Sequence, residues 1–193
     1  MEALRADKRY TYADYASWDT EERYELIDGI PYAMSYDAMS PAPAWKHQDV
    51  SGKLHYQLFD FLKGKSCKVF AAPFDVRLNA ADGDDTVVQP DLVIICDRSK
   101  LIDTGCVGAP DMVIEIVSPS SSNHDRVRKF NKYLHAGVRE YWIVDPDSKT
   151  IVVNILENGR YYSTAYDETA TIPVHILEGC EISLPDVFFE EVQ

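Results

Sequence analysis

Hydrophobic residues recur at helical spacing in two stretches of the chain. The first stretch runs from about residue 44 to 62, and the second from about residue 123 or 125 to 136. Each is followed by a glycine, which often ends a helix. The apolar residues expected to face the core are Val50, Leu54, Leu58 and Phe61 or Leu62 in the first helix, and Val127, Phe130 and Leu134 in the second. Thr11 and Asp14 have the form of a capping box, which predicts a further short helix toward Trp18.

The intervening and following stretches have the composition of β-strands. The predicted strands lie at residues 67–71, 74–78, 86–96, 111–117 and 139–145. Two of them, 86–96 and 111–117, are almost continuously apolar, as is typical of central strands buried on both faces. Strand 111–117, the second helix and strand 139–145 together predict a βαβ crossover.

Two dipeptides predict tight β-hairpins. Asp28-Gly29 and Asn158-Gly159 each stand between apolar runs, where such pairs favour a two-residue turn. The core order is therefore α-β-β-β-α-β, with β-hairpin additions at both ends. The fold class is mixed, α/β with an α+β mixed sheet, and no linker or repeat divides residues 1–193, so we expect a single domain.

Composition limits the cellular locations that we expect for the protein. The 193 residues are 46% hydrophobic, and no run approaches the roughly 18 apolar residues of a membrane span. The first ten residues lack the apolar core of a secretory signal, so we expect a cytoplasmic protein without a membrane contact. The cysteines lack C-x-x-C spacing and are predicted to be buried, reduced thiols: Cys67, Cys96, Cys106 and Cys180.

The formal net charge is −13, which argues against a protein that coats nucleic acid nonspecifically. Two basic segments nevertheless stand in this acidic chain, at residues 43–70 and 124–139. They are either ordinary solvated helix faces or parts of one surface that faces phosphate groups.

Two acidic residues occupy positions where a carboxylate is unexpected. Glu115 lies in the apolar strand 111–117, and Asp91 follows Pro90 in the apolar run 86–96. A buried carboxylate needs a cation, hydrogen bonds or a metal ion. An arginine or a backbone cap could satisfy Glu115, but two such acids on neighbouring central strands favour a site for a hard divalent cation, Mg²⁺ or Mn²⁺.

The second helix carries a polar line on one face. Asp125, Lys129 and Tyr133 are spaced four residues apart and therefore lie on the same side. One interpretation is a surface ion pair. The other is that Lys129, near the start of a helix that begins close to Glu115, reaches a metal-bound water or a phosphate oxygen.

Several motifs in this order resemble one known family. They are Tyr24-Glu-Leu-Ile-Asp-Gly29, Ser40-Pro with His47, Val88-Gln-Pro-Asp91, Glu115-Ile-Val-Ser-Pro-Ser120, Asp125-Arg-Val-Arg-Lys129 with Tyr133, and Gly137-Val-Arg-Glu-Tyr-Trp-Ile-Val-Asp145-Pro. Together they resemble the putative restriction endonuclease (Uma-two type) family of the PD-(D/E)XK nuclease superfamily, over roughly residues 8 to 190. The resemblance implies a restriction-endonuclease-like αβββαβ core and a Mg²⁺- or Mn²⁺-dependent endonuclease that acts on nucleic acid, foremost DNA.

The resemblance also implies roles for single residues. Asp91 and Glu115 match the metal ligands, and the lysine that the superfamily places two residues later is missing, because position 117 is valine. The family moves this lysine to the following helix, which indicates Lys129. Glu25 matches an early catalytic acid. The residues expected to contact substrate are His47, Asp125 and Tyr133; a structural role is the alternative for Glu25 and His47.

Two other functions compete with a nuclease. One is a catalytically silent nuclease-like fold that acts as a binding or interaction module, which the acidic composition favours. The other is a structural dimer formed through the late hairpins, residues 150–178, whose strand edges need covering. A homodimer is compatible with each of the three.

Overall fold

The computed structural model describes residues 8–20, 22–34, 45–117 and 123–188, without the side chains of residues 123–126. The helices are α1 (Tyr12–Tyr15), α2 (Trp45–Leu62), α3 (Asn123–Ala136) and α4 (Leu184–Phe188), with a 3₁₀ turn at Arg98–Lys100. The strands are β1 (Tyr24–Ile27), β2 (Ile30–Ala33), β3 (Lys68–Ala71), β4 (Asp75–Arg77), β5 (Val87–Val88), β6 (Leu92–Ile95), β7 (Leu101–Ile102), β8 (Gly105–Val107), β9 (Met112–Ile116), β10 (Glu140–Asp145), β11 (Thr150–Glu157), β12 (Arg160–Tyr166), β13 (Thr171–Pro173) and β14 (Glu181–Ser183).

The central sheet has the order β12-β11-β10-β9-β6-β3. Strands β9 and β10 are parallel and are joined by α3, which is the predicted βαβ crossover. Side chains alternate between the two faces of β9. Met112 and Ile114 join α2, α4 and the β13–β14 pair in one apolar cluster, whereas Val113 joins α3 and the second sheet in another. Helix α2 thus covers one face of the central sheet, and α3 with the second sheet covers the other.

The second sheet has the order β2-β1-β5-β4-β8-β7. Its first hairpin turns at Asp28 and Gly29, with φ of 52° and 72°, and Ile27 faces Ile30 in the register. These left-handed angles are those of a type I′ turn, so the predicted hairpin is confirmed. Asn158, with φ of 50°, and Gly159 turn the β11–β12 hairpin of the central sheet in the same way.

The predicted strand 86–96 is wrong in one respect, because the structure divides it into β5 and β6, which belong to different sheets. The break lies at Gln89-Pro90. Pro90 has no N–H to give to a ladder, and the N–H of Gln89 donates to a carboxylate oxygen of Glu25 at 2.8 Å. The chain therefore crosses from one sheet to the other at this point, and Asp91 lies at the junction.

The predicted buried stripe of the second helix is wrong at Val127, whereas Phe130 packs against the apolar cluster between the central and second sheets. Val127 on α3 is 62% exposed, and Phe130 and Leu134 are only half-buried. The helix instead buries Lys129 and Tyr133, which find polar partners in the interior. The rotation of α3 about its own axis therefore follows the polar residues that find partners in the interior, and not the spacing of its apolar residues.

The cysteine prediction fails for one pair. Cys67 and Cys96 form a disulfide, with 3.9 Å between their Cα atoms. Strands β3 and β6 are antiparallel, and Lys68 lies opposite Ile95. One further step of this register places Cys67, just before β3, opposite Cys96, just after β6. Cys106 and Cys180 are buried and reduced, as predicted. The cysteines therefore give no support for a reducing compartment.

We expect the disulfide to stabilise the protein measurably. It closes a loop over a sequence separation of 29, and the chain-entropy estimate for such a loop is about 3.5 kcal/mol. Urea unfolding of the Cys67→Ser/Cys96→Ser variant should show a loss of this order against the oxidised wild type. Reductant should lower the stability of the wild type and leave that of the variant unchanged. Four titratable thiols in the denatured, unreduced protein would contradict the bond.

Within the described parts of the chain, no helix combines the length and the apolar character needed to cross a membrane.

Candidate active site

A buried lysine joins two glutamates at the junction of the sheets. Lys129 Nζ on α3 lies 2.8 Å from Oε1 of Glu25 on β1 and 3.1 Å from Oε1 of Glu115 on β9. Lys129 and Glu25 are 8% and 4% exposed. One cation therefore serves two carboxylates that come from different sheets.

Pairing between β1 and β5 brings Glu25 to this place. Leu26 faces Val87 in the register, so the strand containing Glu25 runs beside the stretch that leads to Gln89. Glu25 Oε1 then accepts a hydrogen bond from the Gln89 N–H and an ionic contact from Lys129. Both contacts fix the carboxylate, since they hold it from two directions.

Asp91 reaches the same region from the start of β6. Leu92 faces Ile114 in the antiparallel β6–β9 pair, and one further step of the register places Asp91 beside Glu115. Asp91 Oδ2 accepts a hydrogen bond of 2.7 Å from the N–H of Ile116, and Oδ1 lies 3.2 Å from Nε2 of His47 on α2. Asp91 is thus held by the backbone of β9 and by the His47 side chain, which comes from α2 on the other face of the central sheet.

The cluster carries an excess of negative charge. Burial raises the pKa of Glu115 to about 7, the charges of Glu25 and Asp91 add to this increase, and Lys129 opposes it. Burial by itself would lower the pKa of His47, but the contact with Asp91 outweighs it, so that this pKa lies above its usual value. The neighbouring carboxylates therefore contribute to the raised pKa values of both Glu115 and His47.

Tyr133 supports Glu115 from within the core. Its side chain has no exposed surface, and its hydroxyl donates a hydrogen bond of 2.5 Å to Glu115 Oε1. Burial and then the neighbouring negative charge of Glu115 raise the pKa of Tyr133 well above its usual value, so the phenol stays a donor. The predicted contact of Tyr133 with substrate finds no support in this geometry.

The structure thus gathers the predicted site residues in one cluster, with a single exception. The gathered residues are Glu25, His47, Asp91, Glu115, Lys129 and Tyr133. The exception is Asp125, which lies on α3 but whose side chain is outside the described residues, as are the Ser40-Pro41 and Ser118–Ser120 parts of the motifs. Its predicted contact with substrate stays a prediction.

A model of one protein family matches most of the chain. The model of the Uma2 family, described as "Putative restriction endonuclease", matches residues 12–185, which include every residue of the cluster. The chain belongs to this family. The resemblance inferred from the motifs is therefore confirmed.

Two relatives of this Uma2 protein are informative. An uncharacterised protein of Synechocystis sp., slr1290, is 26% identical over 141 residues, which span 72% of this chain and 70% of the relative. A crystal structure from Anabaena variabilis, described as a putative nuclease belonging to DUF820, superposes with a TM-score of 0.73 at 21% identity and covers 92% of this chain and 97% of its own. At this identity the likeness shows the fold, and it confirms the predicted mixed fold class.

A second polar network, next to the cluster of candidate site residues and centred on Gln89, was not predicted from the sequence. The side-chain amide of Gln89 donates to the Tyr15 hydroxyl and to Asp75 Oδ1, both at 2.9 Å, and Arg23 donates to its oxygen. Gln89 stands directly before Pro90-Asp91, and this place in the motif was the available signal. The network fixes Gln89 on both its backbone and its side chain.

Most described cations of the two basic segments have acidic neighbours of their own. The pairs are Lys46 with Asp147, Lys53 with Asp49, Lys63 with Asp60, Lys132 with Asp28, and Arg139 with Asp111. Their charge is largely compensated where they stand. This supports solvated helix faces over one shared surface for phosphate groups.

Proposed function

We propose that this Uma2 protein is a divalent-cation-dependent endonuclease that hydrolyses phosphodiester bonds of nucleic acid, foremost DNA. One observation carries the proposal: Lys129 from α3 reaches Glu115 at 3.1 Å, beside Asp91, although position 117 holds valine. A lysine from the following helix thus supplies the cation that the superfamily pattern places two residues after the second acid.

The donor set fits a hard cation. Asp91, Glu115 and Glu25 contribute three carboxylates against the single ammonium of Lys129 and the imidazole of His47. Among the described residues, no three His, Cys, Asp or Glu side chains are arranged to hold a metal ion by themselves. Mg²⁺ takes only one or two carboxylates and keeps several waters, so Asp91 and Glu115 would suffice. When bound there, the ion would lower the pKa of water and neutralise charge on the phosphoryl group.

The residues of the chain have distinct tasks in this proposal. The Lys129 ammonium stabilises negative charge that develops on the phosphate, because its position is fixed in advance in a nearly dry site. Glu25 positions Lys129, and Tyr133 positions Glu115. His47 holds Asp91 and, with part of its ring exposed, can contact the phosphate that is cleaved. Glu25 is therefore a positioning residue in this proposal.

The first test is cleavage of supercoiled, linear, single-stranded and branched DNA, and of RNA, in Mg²⁺, Mn²⁺ or EDTA. We expect the wild type to cut with either cation and to stop in EDTA. Asp91→Asn should abolish cutting, because the amide loses the ligand charge. Asp111→Asn is the matched control. Asp111 lies at the other end of β9, where its carboxylate accepts a hydrogen bond from the N–H of Cys96.

A silent interaction module is the second candidate, and the net charge of −13 with locally paired cations favours it. If none of the substrates is cut, calorimetric titration with Mn²⁺ separates the two candidates. Binding that Asp91→Asn abolishes supports a nuclease whose substrate was not in the panel, whereas no binding supports the module. A cytoplasmic location and assembly as a homodimer are parts of the proposal.

A further inference from the structure

The outer face of α2 is aromatic, whereas the solvent side of a helix is normally polar. Trp45, Tyr56 and Phe59 are 59%, 67% and 52% exposed. Gln48 and Gly52 are also exposed and complete the line, which we call the α2 stripe. Three large rings and a glycine on one exposed line indicate a surface that is covered in the working state of the protein.

Gly52 lies in the middle of this stripe, and no contact within the described residues requires a glycine there. Glycine is a poor helix former, because it has more backbone freedom to lose than other residues. A Cβ at position 52 would meet nothing within 4 Å, so no neighbour in this chain needs the space. A glycine at such a place allows the backbone of another helix to approach closely.

The stripe is symmetric about Gly52. Its other members stand seven and four residues before it and four and seven residues after it. If a second copy of the helix runs antiparallel about a twofold axis at Gly52, Trp45 comes level with Phe59, and Gln48 with Tyr56. We propose that α2 packs antiparallel against α2 of a second copy of this chain, with Gly52 at the twofold axis.

The shape beside the axis suits this partner. Tyr56 of one copy would enter the hole formed on the other by Trp45, Gln48, Asp49 and Gly52, in the manner of knobs-into-holes packing. An open groove of about 440 Å³ is lined by Gln48, Asp49 and Gly52 of this hole, by Tyr56 of the same copy and by Asp186 of α4. In the proposed dimer, Tyr56 of each copy would therefore enter a groove that Tyr56 of the other copy helps to line.

A charged pair borders the α2 stripe. Asp49 and Lys53 form a pair of 2.7 Å on one side of it. The twofold axis places Asp49 of each copy beside Lys53 of the other, offset by about 3 Å along the helix axis. The charges therefore run in the order Asp49, Lys53, Lys53, Asp49 along the helix axis, so that each lysine has an aspartate of the other copy on its outer side and the two lysines lie at the centre.

Sedimentation velocity from about 1 to about 100 µM tests the dimer. The wild type should associate, and Tyr56→Ala and Gly52→Leu should each weaken association at least about tenfold, as expected for a central aromatic and a close contact. Tyr162→Ala is the control, because Tyr162 is a 56% exposed ring on β12 among the late hairpins. It should leave association unchanged.

Three outcomes would overturn the proposal. A wild type that stays monomeric over this range would do so. Association weakened by Tyr162→Ala but by neither α2 variant would assign the contact to the late hairpins. A monomer that binds a fluorescent oligonucleotide, and loses this binding with Tyr56→Ala, would assign the stripe to nucleic acid.

A cross-link tests the axis itself without relying on a disruptive variant. Gly52→Cys places two thiols across the twofold axis, so mild oxidation should give a covalent dimer on a non-reducing gel. Asp60→Cys is the matched control, because position 60 is exposed on the same helix but about 12 Å from the axis in each copy. Equal cross-linking of the two variants would indicate random collision and overturn the proposed axis.

Discussion

Replacing Lys129 by methionine is expected to destabilise the protein and abolish cleavage at once. The change leaves Glu25 and Glu115 in the interior without the cation that they share at 2.8 and 3.1 Å. Removing one partner of a buried ion pair costs about 3–5 kcal/mol, because the remaining charge stays buried and uncompensated. Urea unfolding at neutral pH measures the loss of stability, and plasmid nicking in Mg²⁺ measures the loss of activity.

A second substitution separates the two effects. In Lys129→Met/Glu25→Gln, one of the two stranded charges is gone, so most of the stability should return, but cleavage should not, since the ammonium is still absent. Lys132→Met is the control: it lies on the same helix in a partly exposed pair with Asp28, and such pairs contribute about 1 kcal/mol or less. A Lys129→Met variant as stable as the wild type would refute the proposed part of Lys129 in holding the fold.

Glu115→Gln should have the opposite combination, with cleavage lost and stability kept or raised. The amide oxygen can still accept hydrogen bonds from Lys129 and Tyr133, while the excess negative charge of the cluster falls by one. The proposed cation loses a charged ligand, so we expect the cleavage rate to fall about 10³-fold.

Three measurements on purified Glu115→Gln check this expectation: thermal unfolding, single-turnover cleavage and calorimetric titration with Mn²⁺. Glu181→Gln, an exposed change of the same chemistry, should match the wild type in all three. Cleavage by Glu115→Gln within about threefold of the wild-type rate would exclude Glu115 from the proposed chemistry, because that difference is below 1 kcal/mol.

Local signals in the sequence predicted local structure well. The Asp28-Gly29 turn needs only left-handed backbone angles, and α2 needs only a regular apolar spacing, so both could be recognised from a few adjacent residues. The break at Pro90 could not be placed in two sheets from the sequence, because the Gln89 N–H is taken by Glu25, which lies 64 residues away.

The candidate site shows the same division. Asp91 and Glu115 were recognisable because carboxylates are conspicuous within apolar runs. The rotation of α3 was not, since Val127 competes with Lys129 for the inner face and the outcome depends on acids that other strands supply. The disulfide likewise depends on the β3–β6 register, which brings Cys67 opposite Cys96 and which no spacing along the chain reveals.

The junction at Gln89 has a consequence for the dynamics of the molecule. Separating the two sheets there would break the hydrogen bond from Gln89 to Glu25 and the contact from Glu25 to Lys129 together. We expect local opening of this corner to be suppressed, because it would break both contacts at once. The residues of the candidate site would then keep their spacing for as long as the native state lasts. In the proposed nuclease, adaptation to a new substrate would then arise at the periphery of the molecule, where a change of shape does not disturb cooperative folding.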